Sequence, residues 1–144
     1  MVHTNMGLIP EFYVRDISAS RAFYVGVLGF DVLFERPEEG FVYLAREGAE
    51  LMLDAVDQGR TWLAAELEVP FGRGVNVQIW TADVDTLYKQ VEQSGARIFL
   101  ALEEVWYRTG VTYGGNRQFV VQDPDGYLLR FAQDLGTRNA VPSS

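Results

Sequence analysis

An α+β fold of two tandem βαβββ modules is predicted by three observations. A plan of strand, Asp, helix, Gly, strand occurs twice, once around Asp16 and Gly29 and again around Asp83 and Gly95, at nearly one offset. Self-similarity at a single offset across strand, turn and helix is the mark of duplication. Helical periodicity is confined to the two segments that follow those aspartates. The remaining apolar runs are short and bounded by turn residues, as strands are.

The elements follow in order. Ile9 to Val14 reads as the first strand and Phe30 to Glu35 as the second. In the helix between them Tyr24, Val27 and Leu28 form the buried stripe, Asp16 or Ser18 caps the start, and Gly29 ends it. Phe41 to Ala45 and Glu50 to Ala55 form a hairpin turned by Arg46-Glu47-Gly48. Val56 to Arg73 is a connector in which Thr61 to Glu68 is expected to form a short helix. In the second module Val75 to Trp80 is a strand. Val84, Leu87, Tyr88 and Val91 then follow the i, i+3, i+4, i+7 rule, with Asp83 or Asp85 as cap and Gly95 as terminator. Ala96 to Leu100 follows as a strand, and Glu103 to Asn116 is expected as a long extra loop. Arg117 to Gln122 and Tyr127 to Phe131 close the module as a hairpin through Asp123-Pro124-Asp125-Gly126. Pro presets one dihedral of that turn and Gly permits the positive one. The tail from Gly136 is expected to be loose. These boundaries give a single domain over residues 1–144, with modules at about 7–56 and 74–134 and a connector at about 57–73.

Composition narrows the function. A chain of 144 residues is long enough to bury one sizeable core. Twelve basic against twenty acidic residues give a net charge of -8, which opposes binding to nucleic acid or anionic membranes and favours cationic ligands. With no cysteine there is no disulfide and no thiolate chemistry. One histidine, His3, and no cysteine leave no Ser-His-Asp or Cys-His arrangement. The start, MVHTNMGLIPEF, lacks a basic segment followed by an apolar run, so no secretory signal is read there. No apolar stretch approaches the roughly 20 residues that span a bilayer. The expected location is the cytoplasm.

The segments VRDISASRAFYVGVLGFDVLFE, DVDTLYKQVEQSGARI and QFVVQDPDGYLLRF together resemble the glyoxalase, bleomycin-resistance and dioxygenase superfamily, over about residues 7 to 134. The resemblance implies paired βαβββ units that form curved sheets around a cavity. In its metal-dependent members, ligands stand at positions that fall on Ile9, about Leu51, Asn76 and Arg130 of this chain. An aliphatic side chain cannot coordinate a divalent cation, a guanidinium repels one, and a neutral amide is a poor replacement for imidazole. No metal, no cofactor and no catalytic residue is therefore expected. REGAELMLDA and DPDGYLLRFAQ are most similar to the bleomycin-resistance proteins of that superfamily. That likeness implies a homodimer which sequesters a drug without modifying it, with N-terminal strands exchanged near Pro10.

Strand parity then assigns a cavity lining. If Asn76 faces the cavity, so do Gln78 and Trp80, while Val75, Val77 and Ile79 pack on helices. Glu11 and Tyr13 share a face with Ile9, and Arg130 shares one with Leu128. Phe41 or Tyr43 contributes from the neighbouring strand, and Trp62, Trp106 and Tyr113 are candidate rim aromatics. The expected ligand-binding residues are thus Glu11, Tyr13, Phe41, Tyr43, Trp62, Asn76, Gln78, Trp80, Trp106, Tyr113 and Arg130. Such a cup suits a planar cation of the bleomycin type, with its flat bithiazole and charged tail, because rings stack on Trp and Tyr and cations sit over their faces.

Plainer readings stand beside these. Phe12, Phe23, Phe30 and Phe119 read as core. Trp80 reads equally as core or as a stacking surface, and Trp62 and Trp106 as cover for a dimer interface. Arg130 reads equally as an ion-pair partner of Glu11. Glu38-Glu39 reads as a solvated turn. The competing functional class is a lyase or oxidoreductase of the same fold with non-standard metal ligands, in which Glu11, Glu50, Asp54 and Glu103 are the acids that matter.

Overall fold

The computed structural model describes residues 6–59 and 61–140. His3 and the end of the tail, 141–144, lie outside the described residues. The chain divides into two compact units, Met1–Arg73 with Asp123–Gly126, and Gly74–Gln122 with Tyr127–Ser144. Each carries one four-stranded mixed sheet.

The first unit runs β1 (Glu11–Val14), α1 (Ile17–Arg21) continued by a π-helical turn (Ala22–Val27), β2 (Asp31–Arg36), a 3-10 turn (Pro37–Glu39), β3 (Phe41–Arg46) and β4 (Ala49–Ala55). The sheet order is β1-β4-β3-β2, with β1 parallel to β4 and the other pairs antiparallel. Asp16 caps α1 by accepting from the amides of Ser18 and Ala19, which it reaches because its backbone is still extended. The helix then widens, as Leu28 N donates to Phe23 O five residues back. The extra residue moves the stripe, so Phe23, Tyr24 and Leu28 are buried and Val27 only half-buried. Phe23 and Tyr24 meet edge to face at 5.5 Å. Arg46 Nε donates to Leu28 O at 2.8 Å and ties the helix end to β3.

Alternation divides the first sheet. Phe12, Val14, Val42, Leu44, Leu51 and Leu53 are buried on one parity. The register puts Glu11, Tyr13, Met52, Asp54, Phe41, Tyr43, Phe34 and Arg36 on the other. The hairpin turn at Glu47 and Gly48 takes positive φ at both residues, as a two-residue connection requires.

The connector forms no helix at Thr61 to Glu68, contrary to the sequence expectation. Leu63, Ala64 and Ala65 are all exposed, so a helix there has no apolar face to bury, and an isolated stretch this short is marginal on propensity alone. Side chains pin it instead. Thr61 Oγ1 donates to Val56 O at 3.3 Å, and Trp62 N donates to the Tyr13 hydroxyl at 3.0 Å.

The Asp123–Gly126 turn belongs to the first unit, a placement not visible in the sequence. Asp123 Oδ1 accepts from the amides of Asp125 and Gly126, and its Oδ2 accepts from the Tyr24 hydroxyl at 2.8 Å. Asp125 Oδ1 accepts from Arg15 N and Nε at 3.1 and 2.8 Å. Both aspartates are turn residues as expected, but they also fasten the turn to β1 and the helix.

The second unit runs β5 (Asn76–Trp80), α2 (Val84–Ser94), β6 (Ile98–Thr109), β7 (Thr112–Gln122) and β8 (Leu128–Arg138) in the order β5-β8-β7-β6. Asp83 caps α2 by accepting from Thr86 N at 3.1 Å, and Gly95 ends it at φ 76°. Val84, Leu87 and Val91 bury the helix face, and Tyr88 meets the Phe119 ring at 5.1 Å. Val75 precedes β5 and is exposed rather than packed on a helix.

The expected loop from Glu103 to Asn116 is instead a hairpin extension of β6 and β7 that turns at Gly110, which has φ 80°. β8 continues alongside it to Arg138, so the start of the tail is strand. Gly115 is required for packing: a Cβ there would lie 2.7 Å from the Trp106 ring. No helix among the described residues is long and apolar enough to cross a membrane.

Candidate functional site

In the first unit the sheet face turned away from α1 opens into a cleft of about 610 Å³. Glu11 from β1, Arg36 from the end of β2, Glu38-Glu39 from the turn after it, Phe41 from β3, Asp54 from β4, and Gln58, Gly59 and Trp62 from the connector line it. The register explains the gathering. Asp54 stands opposite Phe41 on one side and Tyr13 on the other, and Glu11 has the same parity.

Three of the expected ligand residues meet here: Glu11, Phe41 and Trp62. Tyr13 stands behind them, buried, where its hydroxyl accepts from Trp62 N and hydrogen-bonds the Glu11 carboxylate. It positions the wall rather than forming it. Tyr43 is buried one step along β3, stacked on Phe34 at 5.1 Å and donating to Glu50 Oε1 at 2.7 Å. It supports the Phe34–Phe41 rings and is not part of the lining.

The cleft is acidic. Arg36 pairs with Glu39 and lies 4.0 Å over the Phe41 ring centroid. That leaves Glu11, Asp54 and Glu38 as the surplus negative charge. Burial pushes the Glu11 carboxyl above its ordinary value and the Asp54 charge adds to the rise, while Tyr13 and Arg36 act against it. Burial also raises Asp54, with Arg36 opposing and Glu39 reinforcing. Two carboxylates held against solvent loss and mutual repulsion are a receptor for positive charge. Asp54 and the Glu38-Glu39 turn were not assigned to the site from sequence, though the parity of β4 against Phe41 could have found Asp54.

The second unit places the other expected residues on two faces. Gln78 is in register with Arg130, Trp80 with Ala132, and Asn76 with Leu128. These lie on the face turned away from α2, where Asn76, Gln78 and Trp80 are all exposed. Gln118, in register with Ala132, shares that face; its Nε2 donates to Glu103 Oε2 at 3.0 Å and to the Tyr107 hydroxyl at 2.8 Å. Trp106 and Tyr113 have the opposite parity, that of Arg117, which reaches Asp85 of α2 at 2.8 Å. Trp106 covers Gly115, donates to Glu104 at 3.1 Å and is itself covered by the Arg138 guanidinium at 4.9 Å. Trp106 and Tyr113, expected as rim aromatics of a loop, thus stand on the strands of the β6–β7 extension, on the sheet face opposite to that of Gln78, Trp80 and Arg130.

Among the described residues no group of three or more His, Cys, Asp or Glu is placed to hold a metal ion. Ile9 and Leu51 of the first unit and Asn76 and Arg130 of the second do not fit a divalent cation. Arg130 Nε is buried without a hydrogen-bond partner among the described residues, a charge environment opposed to a bound cation.

A model of the family described as the Glyoxalase/Bleomycin resistance protein/Dioxygenase superfamily matches residues 2–131. A solved member of that superfamily from Vibrio splendidus 12B01 is 44% identical over 87% of this chain and 95% of its own, with a TM-score of 0.40. TioX from Micromonospora sp. ML1 is 24% identical over 94% of this chain and all (100%) of its own, with a TM-score of 0.68. Lactoylglutathione lyase from Agrobacterium tumefaciens is 18% identical over 90% and 94%, with a TM-score of 0.58. The last two likenesses speak to the fold alone. No curated protein matches the chain.

Proposed function

The chain belongs to the glyoxalase/bleomycin resistance protein/dioxygenase superfamily, and from that premise we propose that it is a metal-independent binding protein that sequesters a cationic aromatic small molecule of the bleomycin type. The observation that carries this reading is the first unit's cleft, in which surplus carboxylates stand beside an aromatic wall. Trp62 is 65% exposed, which leaves its ring surface open to stacking. A cation over such a face gains about 0.5 to 2 kcal/mol, and the carboxylates add Coulomb attraction. The net charge of -8 draws the same ligands from a distance. The cleft offers no nucleophile beyond carboxylates, which suits capture rather than turnover. The proposal includes a cytoplasmic homodimer, whose assembly sedimentation of the purified chain tests.

The direct experiment is a titration of tryptophan fluorescence with bleomycin and with benzylamine as a minimal aromatic cation. Saturable quenching that weakens with salt is expected. No saturable change with either probe would reject the reading. Elemental analysis of protein purified without chelator is expected to find no stoichiometric transition metal; a full equivalent would favour the enzyme alternative.

A further inference from the structure

We infer that the face of the second unit's sheet turned away from α2 is a separate recognition site for a planar aromatic carboxylate, read by Arg130, Gln78 and Trp80.

The argument starts from an unmet charge. Arg130 Nε is buried, and neither a hydrogen bond nor an ion pair engages it among the described residues. A guanidinium presents five donors in a fixed fork, and leaving its buried Nε unmet is costly. Several arginines show the usual solution within this chain: Arg15 meets Asp125, Arg21 meets Glu35 and Arg117 meets Asp85. The chain has twenty acidic residues, yet none among those described pairs with this one.

Its neighbours on the face complete a receptor. Gln78 is in direct register with Arg130 and exposed, so its amide is open to a ligand beside the fork. Trp80 lies two residues further along β5 on the same parity, roughly 6 to 7 Å away along the strand. Its ring is 50% exposed, and Ala132 is its small register partner. A guanidinium and an aromatic face at that spacing suit a carboxylate joined to a flat ring. A carboxylate accepts the Arg fork in two parallel hydrogen bonds, and the ring stacks on indole. Asp134, beside Trp80 and four residues along β8 from Arg130, accepts from Gly136 N, and Glu103 is engaged by Gln118. Glu103 stands on β6, separated from β8 by β7.

Benzoate and benzylamine, one ring with opposite charges, separate this site from the cleft of the first unit. Calorimetry of the whole chain is expected to show saturable benzoate binding. Arg130→Met should weaken it roughly tenfold to a hundredfold, the scale of a charge-assisted hydrogen-bond pair. Arg130→Lys keeps the charge but loses the fork, and an intermediate loss is expected. Arg97→Met, at an exposed arginine, should leave benzoate affinity unchanged. Circular dichroism checks the fold, and Arg130→Lys carries the test if the Met variant unfolds. Failure of benzoate to saturate, or full affinity in the Arg130 variants, would overturn the inference. Loss of benzylamine binding alone would instead strike the cleft reading.

Discussion

Replacing Glu11 by Gln should do two opposite things: weaken cation binding and stabilise the folded chain at neutral pH. The binding loss follows from Coulomb's law. A ligand cation about 4 Å from the Glu11 carboxylate, in a half-wet cleft of effective dielectric about 40, gains about 2 kcal/mol, or roughly thirtyfold in affinity. Salt should erode that gain, because the cleft opens to solvent. The stability gain follows from linkage. The folded pKa of Glu11 lies above its ordinary value of 4.5, and that of Asp54 above 3.8. Between those ordinary values and the raised ones the native chain holds more protons than the unfolded chain. The contribution of these groups is fully present below the ordinary values and lost as pH rises through the raised ones. At neutral pH the wild type therefore carries two charges under burial and, at Glu11, added repulsion from Asp54. The Glu11→Gln substitution removes one of them at little change in volume.

The assay pairs benzylamine titration with thermal unfolding of wild type and Glu11→Gln between about pH 4 and pH 8. The variant should melt higher than wild type at neutral pH, with the gap closing as acid protonates Glu11. Its affinity should be lower at neutral pH and should lose much of its dependence on pH. A variant that melts lower at neutral pH would refute the burial argument, and one that binds the cation as well as wild type would refute the charge reading of the cleft.

Trp62→Ala should weaken benzylamine binding by about 0.5 to 2 kcal/mol with little change in melting temperature, because the ring is largely exposed; unchanged affinity in calorimetry would remove it from the wall. Tyr24→Phe deprives Asp123 Oδ2 of its 2.8 Å donor in a buried setting and should cost about 1 to 3 kcal/mol in urea unfolding. Gly126→Ala puts a Cβ 2.5 Å from Pro70 Cβ at φ 104°, while Gly136→Ala meets nothing within 4 Å at φ 91°. Both should destabilise through backbone strain, the first by clearly more; equal losses would mean that the Pro70 contact yields freely.

The order of strands and helices was legible because period and punctuation agreed. Asp16, Gly29, Asp83 and Gly95 each take the capping or terminating role that their chemistry suggests. Three features were hidden for separable reasons. The π turn after Arg21 changes the phase of a short helix without a residue type that announces it. The β6–β7 extension interrupts its alternation with Gly110, Gly114 and Gly115, which read as loop; Gly115 is there because Trp106 lies against it. The pinning of Asp123 and Asp125 spans about a hundred positions of sequence, a distance that no local pattern encodes. At the site, Glu11 and Phe41 were readable from strand parity, and Trp62 as a large aromatic in the connector. Asp54 reads from sequence only as an acid for the enzyme alternative, because its place depends on the pairing of β4 with both β1 and β3.

That dependence on register explains how one scaffold holds two unlike surfaces. In each unit the face toward the helix must be apolar, since Leu53 and Leu44 in the first and Phe119 and Phe131 in the second have no other place to be buried. The alternate positions carry no such demand, so their chemistry can drift while the fold stays fixed. In the first sheet they became carboxylates beside rings; in the second, a guanidinium and amides beside an indole. A one-residue slip in either pairing would exchange the two sets and put Glu11 or Arg130 into the helix-covered core. The buried parity is therefore what enforces the position of the strand-borne side chains on both faces. Core truncations such as Leu53→Ala should loosen ligand selectivity as well as lower stability, the latter by about 2 to 5 kcal/mol. A Leu53→Ala chain that melts lower yet discriminates benzylamine from a neutral ring as sharply as wild type would show that the cleft holds its own geometry without help from the core.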